Sequence, residues 1–264
     1  MSAAGQNRGM LNTHVYGPDS PDATTVLAIH GVTGHGARWR RFADDELPGV
    51  RVLAPDLRGH ARSTWAPPWH FEQHVADLVG VLERHAVTAA SPAVVIGHSL
   101  GGALACRLAT ARPDLVRALL LLDPAQQLDP RMCETIAGQS IEFFDFTSPE
   151  EAEQDKTSGA WERVPAAVMD DEIAEHLVRR DSGRWEWDIG LPAMVALWGE
   201  LARPAVGAPS DVPTVLLRAE RAQYVNDAQL AALPHAEVVT VPSDHMVAQE
   251  VPHLAGEYAR RLIG

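Results

Sequence analysis

Residues 93–112 read AVVIGHSLGGALACRLATAR, and this segment restricts the fold more than any other in the chain. A short apolar run predicts a strand, the residues after Gly101 predict a helix, and Gly97-His98-Ser99-Leu100-Gly101 leaves only a sharp corner between them. A GxSxG corner in that context is the signature of a serine held on a strained strand-to-helix turn. Gly97 and Gly101 remove side chains that would collide across the turn. Gly102, Ala103 and Ala105 let the helix lie close to the sheet. The start of the helix also aims amide groups and the positive end of its dipole at Ser99, which suits a developing oxyanion.

A strand of this kind needs partners, and the chain supplies them. Apolar runs rich in Val, Ile and Leu recur at residues 24–30, 51–55, 93–96, 118–122, 214–217 and 236–241. Continuous apolar runs fit strands covered on both faces. Helical patterns lie between them; over residues 71–85, Phe71, Val75, Leu78, Val79 and Leu82 fall on one stripe. This alternation predicts an α/β fold with a doubly wound, mostly parallel sheet.

The rhythm breaks between residues 124 and 208. That stretch shows helical segments but no clear strand, and it holds Trp161, Trp185, Trp187 and Trp198. Residues 126–205 carry 17 acidic and 7 basic side chains, so −10 of the net −13 charge sits there. Most of those charges read as a solvated face. An excursion of this size between sheet strands is also expected to form a helical cap over a pocket, with residues 1–123 and 209–264 as the core.

Composition narrows the partners. Lys and Arg total 22 against 35 Asp and Glu, an acidic balance that disfavours nucleic acid and anionic membrane as partners. Cys106 and Cys133 form no CxxC or Cys/His pattern, so neither a disulfide scaffold nor a structural zinc site is expected. The opening residues lack the apolar core of a signal peptide, and no run of eighteen apolar residues occurs; a cytoplasmic protein is expected.

A serine hydroxyl needs a base to become a nucleophile. Among twelve histidines, His245 stands just past the last apolar run, on the sheet edge where ligands bind. His98 reads as structural. His60, His70 and His74 are candidates for lining the pocket, and no histidine spacing supports a metal site. The glycine-rich segment His30-Gly31-Val32-Thr33-Gly34 follows the first strong strand, and the backbone amides of Val32 and Leu100 are the expected oxyanion donors. No GxGxxG or GxxxxGK[ST] phosphate loop occurs.

HGVTG at 30–34, DLRGHARS at 56–63, GHSLGG at 97–102, LLLLDPA at 119–125 and SDHM at 243–246 together resemble the α/β-hydrolase family, in the family's order. The resemblance implies a serine nucleophile, an oxyanion amide at Val32 and a cap in the excursion. Because Ser99 and not aspartate holds the nucleophile position, dehalogenase and epoxide hydrolase chemistry are disfavoured. One departure stands out: where the family carries its acid in a Gly-x-x-Asp turn, this chain has Leu217-Arg218-Ala219-Glu220-Arg221-Ala222. Asp123 and Glu220 are then the two candidates for the acid behind His245, with Asp123 preferred.

The expected function is cleavage of a small to medium, apolar carboxylic ester, lactone or thioester through an acyl-enzyme. Ser99 attacks, His245 takes its proton, Asp123 orients the imidazole, and no cofactor or metal is required. A carbon–carbon bond hydrolase or perhydrolase on the same fold, and a catalytically silent small-molecule receptor, are the rival readings. Trp39, Trp65, Trp69 and the tryptophans of the excursion are expected around an apolar pocket.

Overall fold

The chain was described as a computed structural model covering residues 10–20 and 23–264. Residues 1–9, part of the stretch read as lacking a secretory signal, lie outside the described residues.

Seven strands form one sheet: β1 (Thr13–Tyr16), β2 (Thr25–Ile29), β3 (Arg51–Pro55), β4 (Ala93–His98), β5 (Val116–Leu122), β9 (Thr214–Ala219) and β10 (Glu237–Val241). Their spatial order is β1-β3-β2-β4-β5-β9-β10, parallel throughout except for β1, which runs antiparallel to β3 with Thr13 opposite Pro55. Every apolar run picked out in the sequence is a strand of this sheet. The edge strand β1 was not foreseen, because THVY carries no apolar run and gains its order from β3 alone.

The helices are α1 (Arg40–Glu46), α2 (Phe71–Arg84), α3 (Leu100–Ala111), α4 (Pro130–Glu142), α5 (Pro149–Thr157), α6 (Ala166–His176), α7 (Leu191–Leu201), α8 (Asp227–Ala232), α9 (Val247–Glu250) and α10 (Pro252–Ile263). The pleat of β2, β4 and β5 sends alternate residues to opposite faces. Leu27, Ile29, Val95, Leu119 and Leu121 pack with Leu78 and Leu82 of α2 and Leu104 and Leu108 of α3. Val26, Ala28, Val94, Ile96, Leu120 and Leu122 pack with Phe42 of α1 and Ala255 and Ala259 of α10. Both faces are therefore apolar, which is why the runs in the sequence are continuous.

Helix α2 spans the stripe expected over residues 71–85, and the His70 ring caps it by accepting from the Gln73 amide. The excursion between β5 and β9 contains α4 to α7, but it also contains strands, contrary to the sequence reading. Strands β6 (Asp145–Phe146), β7 (Leu177–Arg179) and β8 (Trp185–Trp187) make a small antiparallel sheet in the order β6-β8-β7. Two or three residues are too few to display a period of two, so nothing in the sequence pattern marked them.

Candidate active site

The corner at Ser99 is as sharp as the glycines require. Ser99 has φ 55 and ψ −120, a conformation that costs a side-chain-bearing residue about 1–3 kcal/mol. Four backbone bonds hold it there: its amide donates to the Leu122 carbonyl at 3.1 Å, and its carbonyl accepts from Gly102, Ala103 and Ala125. Gly101 permits the close approach, since a Cβ there would lie 2.2 Å from the Ile29 carbonyl oxygen. Gly31 lies against the nucleophile position; a Cβ on it would stand 3.5 Å from Ser99 Oγ.

His245 sits in the loop between β10 and α9. Its Nδ1–H donates to Asp123 Oδ2 at 2.6 Å, and the other carboxylate oxygen of Asp123 accepts from the Ala219 amide at 3.0 Å. Asp123 is fully buried. Glu220 is exposed, and its one recorded bond is from its amide to the Val241 carbonyl. Of the two candidate acids, the fold brings Asp123 to His245 and leaves Glu220 outside. With Nδ1 committed to Asp123 as a donor, Nε2 of His245 is left as the basic nitrogen.

Two other rings pack on that of His245. Tyr224 lies 4.0 Å from it, centroid to centroid, and His98 lies 4.6 Å away. His98 Nε2–H donates to the His245 carbonyl at 2.8 Å, which ties the residue before Ser99 to the histidine loop. Burial pushes the His98 ring well below the usual histidine range, so it serves as a neutral strut, as expected of a structural histidine. Tyr224 had no signal in the sequence. It stands two residues past Ala222, where the family's usual acid is missing.

The loop after β2 is held by histidines. His30 Nδ1–H donates to the Gly31 carbonyl at 2.7 Å, and its Nε2 accepts from the Leu57 amide at 2.9 Å. His60 Nε2–H donates to the Val32 carbonyl at 2.6 Å, which fixes that carbonyl's position. Burial keeps both rings below the ordinary histidine pKa and therefore neutral. Neither the Val32 nor the Leu100 amide has an acceptor among the described residues, which leaves both available. His60 and His74 were candidates to line a pocket. Instead His60 is buried beneath this loop and His74 is enclosed on the inner side of α2, while the exposed His70 caps that helix. Trp39, also placed around the pocket by the sequence reading, is a core residue packed on Phe42.

The excursion packs down on this site. Trp161, Val164 and Met169 form a buried cluster with Met246, the residue after His245, and Arg163 pairs with Asp244 at 3.2 Å. A second junction is polar. Glu172 of α6 accepts from Arg38 (Nη2 at 2.5 Å), from Lys156 Nζ at 2.6 Å and from His35 Nε2 at 3.0 Å. Burial pushes the Glu172 carboxyl up, but Arg38, Lys156 and His35 outweigh it and hold the group ionised. His35, Glu172 and His176 place ligand-type atoms within 4.8 Å of one another. Arg38 and Lys156 already occupy both oxygens of Glu172, and two cations beside the cluster oppose a third, so these residues do not fit a metal ion.

Comparison with known proteins agrees with the fold. A family model described as the alpha/beta hydrolase family matches residues 26–256. The chain belongs to the α/β-hydrolase family. Among the relatives of this α/β hydrolase is lipase LipV of Mycobacterium tuberculosis, 43% identical across 97% of this chain and 99% of the lipase. Esterase Rv0045c of the same organism is 26% identical across 97% of this chain and 84% of the esterase. The crystal structure of E-2-(acetamidomethylene)succinate hydrolase superposes with a TM-score of 0.82 at 22% identity, covering 96% of this chain and 94% of that one. A lipase and an esterase among its relatives support ester hydrolysis by this α/β hydrolase. Among the described residues, no helix is long and apolar enough to cross a membrane.

Proposed function

We propose that this α/β hydrolase cleaves carboxylic esters through an acyl-enzyme formed on Ser99. The observation that carries the reading is the 2.6 Å bond between His245 and a buried Asp123, in the loop tied by His98 to the Ser99 corner. His245 Nε2 takes the Ser99 proton as Oγ attacks the ester carbonyl, and Asp123 stabilises the imidazolium that forms. The amides of Val32 and Leu100 receive the oxyanion; a donor of this type lowers the barrier by about 3–4 kcal/mol. The imidazolium protonates the departing alcohol, and water, activated by the same nitrogen, then releases the acid.

Residues 124–208 act as the cap in this reading. The Met246 cluster and the Arg163–Asp244 pair favour that role, because they seat the excursion directly on the histidine loop. The named lipase and esterase relatives support a carboxylic ester as substrate; within that class the reading is of a small to medium ester with an apolar body, with lactones and thioesters inside the same chemistry.

The test is covalent. An organofluorophosphonate is expected to label the wild type once, on Ser99, and Ser99→Ala is expected to lose both the label and p-nitrophenyl ester turnover. Undiminished turnover in Ser99→Ala removes the assignment. A wild type that binds small esters without ever forming the adduct points to a receptor.

A further inference from the structure

A cleft of about 160 Å³ opens between α4, the small sheet of the excursion and the loop after β2. Its walls include Phe144, Phe146, Trp187 and Ile189, and they meet Thr33, the neighbour of the Val32 amide. Ile189 forms a bridge with His60, the ring that holds the Val32 carbonyl, so the cleft begins at the loop assigned to the oxyanion. Thr33, Ser140 and Asp155 add polar groups to these mostly apolar walls, and Lys156, whose side chain is 8% exposed, is the one full cation among them.

The charges around Lys156 do not balance. Lys156 and Arg38 are two cations on the single carboxylate of Glu172. The Lys156 ammonium has three donor hydrogens, and Glu172 is its one recorded acceptor; the ammonium otherwise rests 3.5 Å over the Trp187 ring and 4.7 Å over Trp161. His176, also at Glu172, is pushed by burial down to about 3 and is neutral. Burial likewise pushes Lys156 down to about 8, against the pull of Glu172, so it keeps its charge at pH 7 under strain. Asp155 also lines the cleft and adds a weaker pull on Lys156 than Glu172 does; it is an exposed residue, so water screens much of its charge. A buried positive excess facing a largely apolar space is stabilised by an anion brought in by the ligand.

We propose that the cleft receives the part of an ester substrate that carries a second, ionised carboxylate, with Lys156 as the residue that selects it. This rests on the ester-hydrolase reading above. An aliphatic or aryl stem fits the phenylalanine and tryptophan walls, and the carboxylate completes the charge balance that Glu172 leaves open.

Matched ester pairs test it. The 4-methylumbelliferyl monoester of adipic acid is compared with the hexanoate ester, and 4-acetoxybenzoate with its methyl ester, which places the charge on either half of the substrate. The wild type is expected to favour the anionic member of at least one pair by roughly tenfold or more in kcat/KM. Lys156→Met is expected to erase that preference through KM, and Lys156→Arg to restore it. Added salt should shrink the preference.

A wild type that treats both members of both pairs alike overturns the proposal, and this arm needs no variant to fold. So does an equal loss on charged and neutral esters in Lys156→Met, which would make Lys156 only a fastening of the excursion. Failure of the wild type to turn over any of the four esters, with no fluorophosphonate label on Ser99, instead strikes the ester-hydrolase reading and takes this proposal with it.

Discussion

Asp123 and His245 stand 122 residues apart in the chain and share a hydrogen bond of 2.6 Å. The bond joins the end of β5 to the loop after β10, and it brings one of the two candidate carboxylates to the imidazole. Asp123→Asn offers Nδ1 the wrong partner and favours the wrong tautomer, so kcat for a p-nitrophenyl ester is expected to fall about 10⁴-fold with the fold intact. Glu220→Gln, on an exposed side chain, is expected to stay within about twofold of wild type. The reverse ranking would move the acid to Glu220.

Tyr224 packs against the His245 ring at 4.0 Å, tilted by 33°, and so restricts how the imidazole turns. Removing the ring in Tyr224→Ala is expected to lower kcat about tenfold with KM little changed, because a base that points elsewhere for much of the time transfers fewer protons. Tyr224→Phe keeps the ring contact and should keep the rate. If alanine and phenylalanine behave alike in steady-state kinetics, the contact has no part in orienting His245.

Two glycines separate crowding from helix propensity. A Cβ at Gly101 would meet the Ile29 and His30 carbonyl oxygens at 2.2 and 2.9 Å, and backbone atoms cannot step aside. Gly101→Ala is expected to cost about 3 kcal/mol and displace the Ser99 corner. Gly138 lies on an exposed turn of α4 with nothing within 4 Å of the added carbon, so Gly138→Ala is expected to gain about 0.5–1 kcal/mol. Urea unfolding midpoints of the two variants check both signs.

His74 sets part of the acid response. Its ring nitrogens have no partner, and burial, aided by the nearby Arg58 guanidinium, pushes it down to about 3 from the ordinary 6.5. Below pH 6.5 the unfolded chain takes up a proton there that the native state refuses until about pH 3. Stability tied to this group is complete above 6.5 and declines as the pH falls through that window, by up to about 1.4 kcal/mol per pH unit. His74→Leu removes the site, so its Tm should drop less than the wild type's between pH 7.5 and 5.5. Equal drops by circular dichroism would show that His74 does not carry the effect.

What could be read along the chain was whatever depends on near neighbours. The parallel strands were visible because both faces of the sheet are covered, which makes their apolar runs continuous. The Ser99 corner was visible because Gly97 and Gly101 must flank so tight a turn, and His245 because it follows the last strand. Strand β1 escaped notice because its order comes from β3 across the sheet, and β6, β7 and β8 because they are too short to show a period.

Tertiary structure decided the rest, since it concerns groups that meet only when distant segments pack. The pairing of His245 with Asp123 and not with Glu220 depends on a side-chain direction at the edge of a sheet, and composition says nothing of directions. The same holds for His60 beneath the Val32 carbonyl, Tyr224 on the His245 ring, and Glu172, which meets Arg38 across 134 positions of chain. Periodicity records which face of an element is apolar. It carries no record of which polar group waits on the element opposite, and that is where the chemistry of this chain was assembled.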